Sequence, residues 1–366
     1  MSTLGELEVL FLLSFTDAPP SYVLTWLANR GIEYRIGDNL KRIISEDERA
    51  GSRAGIRTAL EEAVRGFEYR LDAFSARVDT LSEVFNITLL VAPVMLYSVG
   101  LLQPYVLEKA LPLLLLLNTI LVFLYRDLHP KVLVSSAGYK LFLALLVIFA
   151  LSSALLMHAG LEYSLIFQTV VSFPLSLLTV RKIRSVEAEL NENKEILVKA
   201  LQSPGHIFRA VSPESLLSDT MLGLSRSLRL TVYLSSIWGI EDPSLLLLTY
   251  EKLYNFHRKL MRKGFTNATM NLVTLFLLGF ASSVIKGIYA SIPLESINQW
   301  ITISDPRAIN LLVDLYLAGA VVIYSSGLSV LSTGSAAFTA LWLPVASLVV
   351  LVGGLLGNSL LGGVHV

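Results

Sequence analysis

Between residues 52 and 85, apolar side chains fall at Ile56, Leu60, Val64, Phe67, Leu71, Phe74, Val78, Leu81 and Phe85. Each step is four or three residues, which draws one stripe along one side of a helix. Glu61, Glu62, Arg65, Glu68, Arg70, Asp72, Arg77 and Asp79 lie between them, on the water-facing side. No proline follows until Pro93, so the spacing predicts an unbroken helix that leaves a polar region and enters an apolar one. Such a helix is stiff and suited to carrying a displacement. Packing of a small bundle is the plainer use of the same stripe, and periodicity serves both.

Upstream, a helix over 5–15 is stopped by Thr16-Asp17-Ala18-Pro19-Pro20, and a shorter one over 22–29 is ended by Gly31. Asp38 is placed to cap a helix through 49, and Ser52 to cap the long one. The apolar run 9–15 is too short to span a bilayer and reads as a buried helix. Downstream, apolar segments cover 86–103, 110–125, 141–157 and 164–180, then 270–290, 309–329 and 337–357. A membrane helix needs about 17–25 residues, so about seven spans are expected. Within 181–269, Ser212-Pro213-Glu214 and Glu241-Asp242-Pro243 mark helix starts.

Composition agrees with the pattern: 54% of residues are hydrophobic and 16% charged. Soluble domains sit near about 45–50% and about 25%, so an ordinary soluble fold and a disordered chain are both excluded. The charges are uneven. Residues 1–84 hold 10 Lys/Arg and 14 Asp/Glu, and residues 181–269 hold 13 and nine. The expected fold is therefore an all-α polytopic membrane protein, in which two cytoplasmic helical bundles (1–85 and 181–269) alternate with two transmembrane helix blocks (86–180 and 270–366). With the N-terminus in the cytoplasm, only Lys109, Lys286 and Arg307 fall on the outer side, as the excess of basic residues in cytoplasmic loops requires. The start carries Glu6 and Glu8 and no basic region, so no cleavable signal is expected. The cytoplasmic membrane is the expected location.

The zero net charge argues against a nucleic-acid partner. There is no cysteine, no phosphate-binding glycine loop and no metal-ligand spacing among the five histidines. Gly327-Leu328-Ser329 resembles the serine motif of rhomboid intramembrane proteases, but no span supplies a histidine partner. We expect no enzyme, no catalytic residue, no metal and no cofactor. Asn86-Ile87-Thr88 and Asn267-Ala268-Thr269 match glycosylation sequons at the cytoplasmic edge, where neither is expected to be used.

Two basic clusters flank the membrane blocks: Arg181, Lys182 and Arg184 after one, and Arg258, Lys259, Arg262 and Lys263 before the other. They serve as topology signals and lipid-surface contacts, each basic residue contributing about 1 kcal/mol near an anionic surface. They also form candidate docking faces for a partner. Lys286 lies a turn from the end of its span, and snorkelling to the headgroups is its expected arrangement. Asp314 cannot snorkel and marks a partner or a wet cavity; an ion pair between the two is the alternative. Gly353 and Gly357 form a Gly-x-x-x-Gly spacing for close helix approach.

The segment Leu81-Ser82-Glu83-Val84-Phe85-Asn86-Ile87-Thr88-Leu89-Leu90-Val91-Ala92-Pro93 resembles the entry to the first membrane helix in archaeal relatives of the type II secretion system F domain. The matching positions are Glu83, Phe85 and Pro93. The preceding helical block and the doubled plan are also similar. Ala18-Pro19-Pro20 departs from the family, which has a glycine in the corresponding turn, and 181–269 matches the F-domain pattern poorly. These relatives are membrane platform proteins of archaella and of type IV adhesion pili. The resemblance implies a non-enzymatic scaffold whose partners are a hexameric secretion ATPase, pilin subunits, the lipid bilayer and a second copy of itself as a homodimer. The coupling helix would run from Ser52 through Glu83 and Phe85 to Pro93. The basic clusters would dock the ATPase. The alternative from another class is a secondary transporter or channel, supported by Lys286, Asp314 and the doubled plan.

Overall fold

Glycines and prolines punctuate the first helices. Helix α1 (Glu6–Phe15) ends at the Thr16–Pro19 stop, α2 (Pro20–Asn29) has proline in its first turn, and α3 (Asp38–Ala50) ends at left-handed Gly51. The computed structural model describes residues 4–100, 103–129, 139–202, 207–218, 220, 222–239, 243–291 and 306–362. Helix α4 (Ala54–Asn86) continues through a single π-helical turn (Ile87–Val91) into α5 (Ala92–Gly100). There follow α6 (Pro104–Leu128), α7 (Tyr139–Ala159), α8 (Leu161–Gln202), the short α9 (Ile207–Ala210) and α10 (Pro213–Leu217), α11 (Gly223–Trp238) and α12 (Pro243–Ser291). Helix α13 (Pro306–Thr333), a 3-10 turn (Ala336–Leu341) and α14 (Leu343–Gly362) are the last described elements. Among the described residues there is no strand, only one bridge between Leu4 and Tyr34.

Among the described residues, six helical stretches are long and apolar enough, by length and composition, to cross a membrane: Ala54–Gly100, Tyr105–Leu128, Leu161–Gln202, Ser244–Ile288, Ala308–Thr333 and Leu343–Leu360. Leu143–Ala159 in α7 is a shorter apolar stretch at the position of the remaining expected span. The chain is an all-α polytopic membrane protein.

The residues gather into two compact units. The first takes its described residues from 4–73 and 182–260, the two charged blocks; the second takes them from 74–129, 139–181 and 261–362. Helices α4, α8 and α12 each contribute to both units.

In the first unit α1 is buried almost all round, from Glu8 to Phe15, and packs against α11. The apolar run too short to span is thus a buried helix. Glu8 stands at the third position of α1, and its carboxyl reaches back to the Gly5 backbone. It lies beside Gly5 and Gly223, where a Cβ would come within 2.6 and 2.7 Å of its oxygens. Trp26 and Phe208 both pack on Tyr233. Arg229, buried, donates to Asn193 Oδ1 (2.8 Å), the Ser215 carbonyl (3.0 Å) and Ser218 Oγ (2.8 Å), and pairs with Glu192 at 3.1 Å. It ties the α10 segment to α8. Ser212 caps α10 by accepting from Ser215 N, as its Ser-Pro start requires. Of the other expected helix start, Glu241 and Asp242 lie outside the described residues, and α12 begins at Pro243.

One expected cap differs and the other is supplemented. Gly37, not Asp38, is the N-cap of α3; Asp38 is already helical and pairs with Lys41 at 2.8 Å. At the start of α4, Ser52 Oγ accepts from Ala54 N at 3.3 Å. The shorter bond comes from Asp47 on α3, whose two oxygens accept from Gly55 N (3.1 Å) and Ile56 N (2.7 Å). Arg53 donates to the carbonyls of Thr16 and Ala18. The long helix is thus anchored by a neighbouring helix as well as by its own serine.

In the second unit α13 packs chiefly on α6, and α5 also packs on α6. Helix α12 approaches α13 and α14 so closely that glycine is required. A Cβ on Gly264 would run into the backbone of Leu331 and Ser332, one on Gly279 into Val350, and one on Gly353 into Phe276. Gly357 lies equally close to Phe280 and Ser283. The Gly353/Gly357 pair therefore serves packing within the chain.

Candidate functional site

The stripe expected on α4 faces inward. Eight of its nine residues are buried, and Leu81 is half-buried. In the first unit, Lys252 pairs with Glu68 (3.2 Å) and Lys259 with Asp72 (3.3 Å), so α4 and α12 run side by side there. In the second unit, Lys263 Nζ binds Asp79 Oδ2 (3.0 Å), Ser75 Oγ (2.5 Å) and the Ser75 carbonyl (2.7 Å).

Farther along the same pair, Ser82, Asn86, Asn271 and Tyr324 form a closed polar cluster. Asn271 Nδ2 donates to Ser82 Oγ (2.8 Å), and Asn86 Nδ2 donates to Asn271 Oδ1 (3.0 Å). The Tyr324 hydroxyl lies 2.9 Å from Asn86 Oδ1 and 2.7 Å from the Asn271 carbonyl. Its ring stacks on Phe85 with centroids 4.9 Å apart. The Asn86 amide is thus engaged between helices.

Of the expected coupling residues, Ser52 and Glu83 are exposed, while Phe85 and Pro93 are buried. Pro93 explains the π turn. It has no N–H for the Leu89 carbonyl, and its ring crowds that turn. The Tyr316 hydroxyl on α13 supplies the missing donor, at 3.3 Å from Leu89 O. In an apolar surrounding a freed carbonyl needs such a replacement.

The basic clusters divide. Lys259 and Lys263 are engaged by α4, as above. Arg258 and Arg262, on the adjacent face of the helix, are exposed and make no ion pair among the described residues. Arg181 and Arg184 are exposed, and Lys182 is half-buried with a partner of its own.

Lys286 and Asp314 form an ion pair, so the expected snorkelling of Lys286 is corrected: its ammonium turns to α13. Both side chains are about one-fifth exposed, at 21% and 19%. A short reach to Asp314 satisfies both charges, whereas snorkelling would have left the carboxylate alone. The pair lines a cavity of about 290 Å³ between the α7–α8 junction, α12, α13 and α14. Glu162, Ser283 and Asn358 also line it, and Ser283 Oγ donates to Asn358 Oδ1 at 2.5 Å.

A second cavity of about 380 Å³ is apolar, walled by Leu115, Leu145, Phe149, Val322 and Ile323. Gln168, at its edge, donates to Ser152 Oγ (2.7 Å) and accepts from Ser347 Oγ (3.0 Å). Ser329, of the serine motif, donates to the Ser335 carbonyl at 2.7 Å. Among the described residues no group of three or more His, Asp or Glu stands in a metal-holding arrangement.

Sequence reasoning missed Asp47, Arg229 and the Asn86–Asn271–Tyr324 cluster. Only Asp47, four residues before Gly51, left a local trace, as a polar residue near a helix junction. No family model, no curated protein and no solved structure matches the chain.

Proposed function

We propose that this chain is a non-enzymatic membrane platform of an archaeal type IV pilus-like filament machine, related to the type II secretion system F domain. It sits in the cytoplasmic membrane with its N-terminus inside. Its charged unit engages a hexameric secretion ATPase, and its apolar unit receives pilin subunits; it acts as a homodimer. The observation that carries this reading is the helix Ala54–Gly100, which joins a charged, bundle-forming half to an apolar half around Glu83, Phe85 and Pro93. A stiff rod entering the membrane suits a protein that passes work from a soluble motor to inserted subunits. The exposed Arg258 and Arg262 support the docking part of the reading, because they are not used to hold α12 against α4.

The test is an Arg258→Glu/Arg262→Glu variant expressed in place of the native chain. Filaments seen by electron microscopy and co-purification of the ATPase should both fall at least about tenfold, as for charge reversal at a docking face. Membrane insertion should be unchanged. Normal filaments in that variant would remove the docking face, and normal filaments in a deletion strain would remove the platform reading.

A further inference from the structure

The apolar cavity lies near the mid-length of three helices of the second unit, α6, α7 and α13. It stays hollow because small residues stand where larger ones would fill it: Gly319 and Ser326 on α13, and Ala336 at the start of the 3-10 turn. Its few polar groups are spent within the chain. Gln168 is held by Ser152 and Ser347. Thr339 Oγ1 lies 3.2 Å from Ser326 Oγ, which donates to the Val322 carbonyl at 2.9 Å. Nothing in this wall calls for water. An apolar cavity of about 150 Å³ already stays dry and takes up a small apolar ligand. This one is about 380 Å³.

The mouth shows where an occupant would come from. Leu146 and Phe149 line the cavity, yet they are also 48% and 38% exposed. Leu143 and Val147 beside them on α7 are exposed too. The opening is therefore continuous with an apolar outer face, which in a membrane-spanning chain meets hydrocarbon.

We propose that this cavity is the binding site for one hydrocarbon chain of a membrane lipid, whose headgroup stays outside. Taking about 30 Å³ per carbon, the share of one water, it holds about a dozen carbons. A single helical turn, about 10 Å across and about 5.4 Å long, is larger than the cavity, so an inserted protein helix does not fit. A flexible chain does, and it restores the contacts that the walls of a void forfeit. Filling the void is the driving force, because passing from lipid into an apolar cavity brings no hydrophobic gain. The site thus selects for a single slender chain and is indifferent to the headgroup. Helix α7 packs on the 3-10 turn and on α13, and the chain completes its packing toward α6.

The experiment places the full chain in phosphatidylcholine nanodiscs in which a small fraction of the lipid carries a diazirine at mid-chain. After illumination, labelled residues are mapped by mass spectrometry. Leu113 and Val170, on exposed faces, take label in any arrangement. Val322 and Ile323, half-buried in the cavity wall, should take it as well. Val322→Phe and Ala336→Leu each fill the space with an apolar side chain. Each should lower labelling of Ile323 at least about tenfold, since a filled interior has no room for a chain, and leave Leu113 and Val170 unchanged. The unchanged outer label shows that a variant has inserted; where one does not insert, the other decides. Moving the diazirine chain to phosphatidylglycerol should leave labelling of Ile323 in the native chain unaltered. No label at Val322 and Ile323 in the native chain overturns the proposal. So does label at Ile323 that survives in an inserted, filled variant, or that depends on the headgroup.

Discussion

Asp47 looks like an ordinary acid near the end of a polar helix, yet both its oxygens are spent on the first turn of α4. Replacing it with alanine leaves two backbone N–H groups without that acceptor, a loss of about 1–2 kcal/mol. A lower melting temperature in Asp47→Ala, read by circular dichroism in detergent, checks it; an unchanged one would shift the anchoring to Ser52 and Arg53. Glu8 carries the opposite lesson. Burial holds its carboxyl above the ordinary value of 4.5, with the backbone bonds at Glu8 and Gly5 pulling the other way. The folded chain therefore keeps the proton to higher pH than the unfolded one, and stability falls as pH rises from about 4.5 through the raised value. Glu8→Gln should flatten that slope and melt higher than the native chain at pH 7; parallel melting curves from pH 4 to 8 would contradict it. Neither role was legible in sequence, because each depends on a partner far along the chain or across a helix junction. Lys286 was misread for the same reason: its distance to a span end is local, whereas its distance to Asp314 is not.

At the scale of elements the stripe on α4 was readable because it needs only the helical period, and eight of its nine positions are buried as that period requires. Pro93 was readable as an interruption, but its remedy was not. The Tyr316 hydroxyl replaces the proline's missing N–H at Leu89. Tyr316→Phe should therefore cost about 1–3 kcal/mol, the range for a buried acceptor left without a donor. Pro93→Ala restores an N–H at that position. The Tyr316→Phe change should cost less in the Pro93→Ala background, and equal costs in a double-mutant cycle would refute the exchange. The helix contacts at Gly264, Gly279 and Gly353 belong to this scale too. The Gly-x-x-x-Gly spacing announced close approach, but not which helix approaches.

For the whole molecule, composition places block boundaries at 85 and 269, whereas the compact units divide at 73 and 260. Hydropathy changes only where a helix meets lipid, while packing partners change earlier, where α4 and α12 exchange one set of neighbours for another. The larger point is that each unit is assembled from chain segments separated by the other. The first unit's opening segment is made early, but α11, which covers the α1 run from Val9 to Phe15, comes much later. About two hundred residues must be translated between α1 and α11, which at 5–20 residues per second takes about 10–40 s. During that interval the apolar α1 lacks its α11 cover. Biogenesis, then, sets its own demand on this fold: the chain must shield its first helix before its own cover has been synthesised.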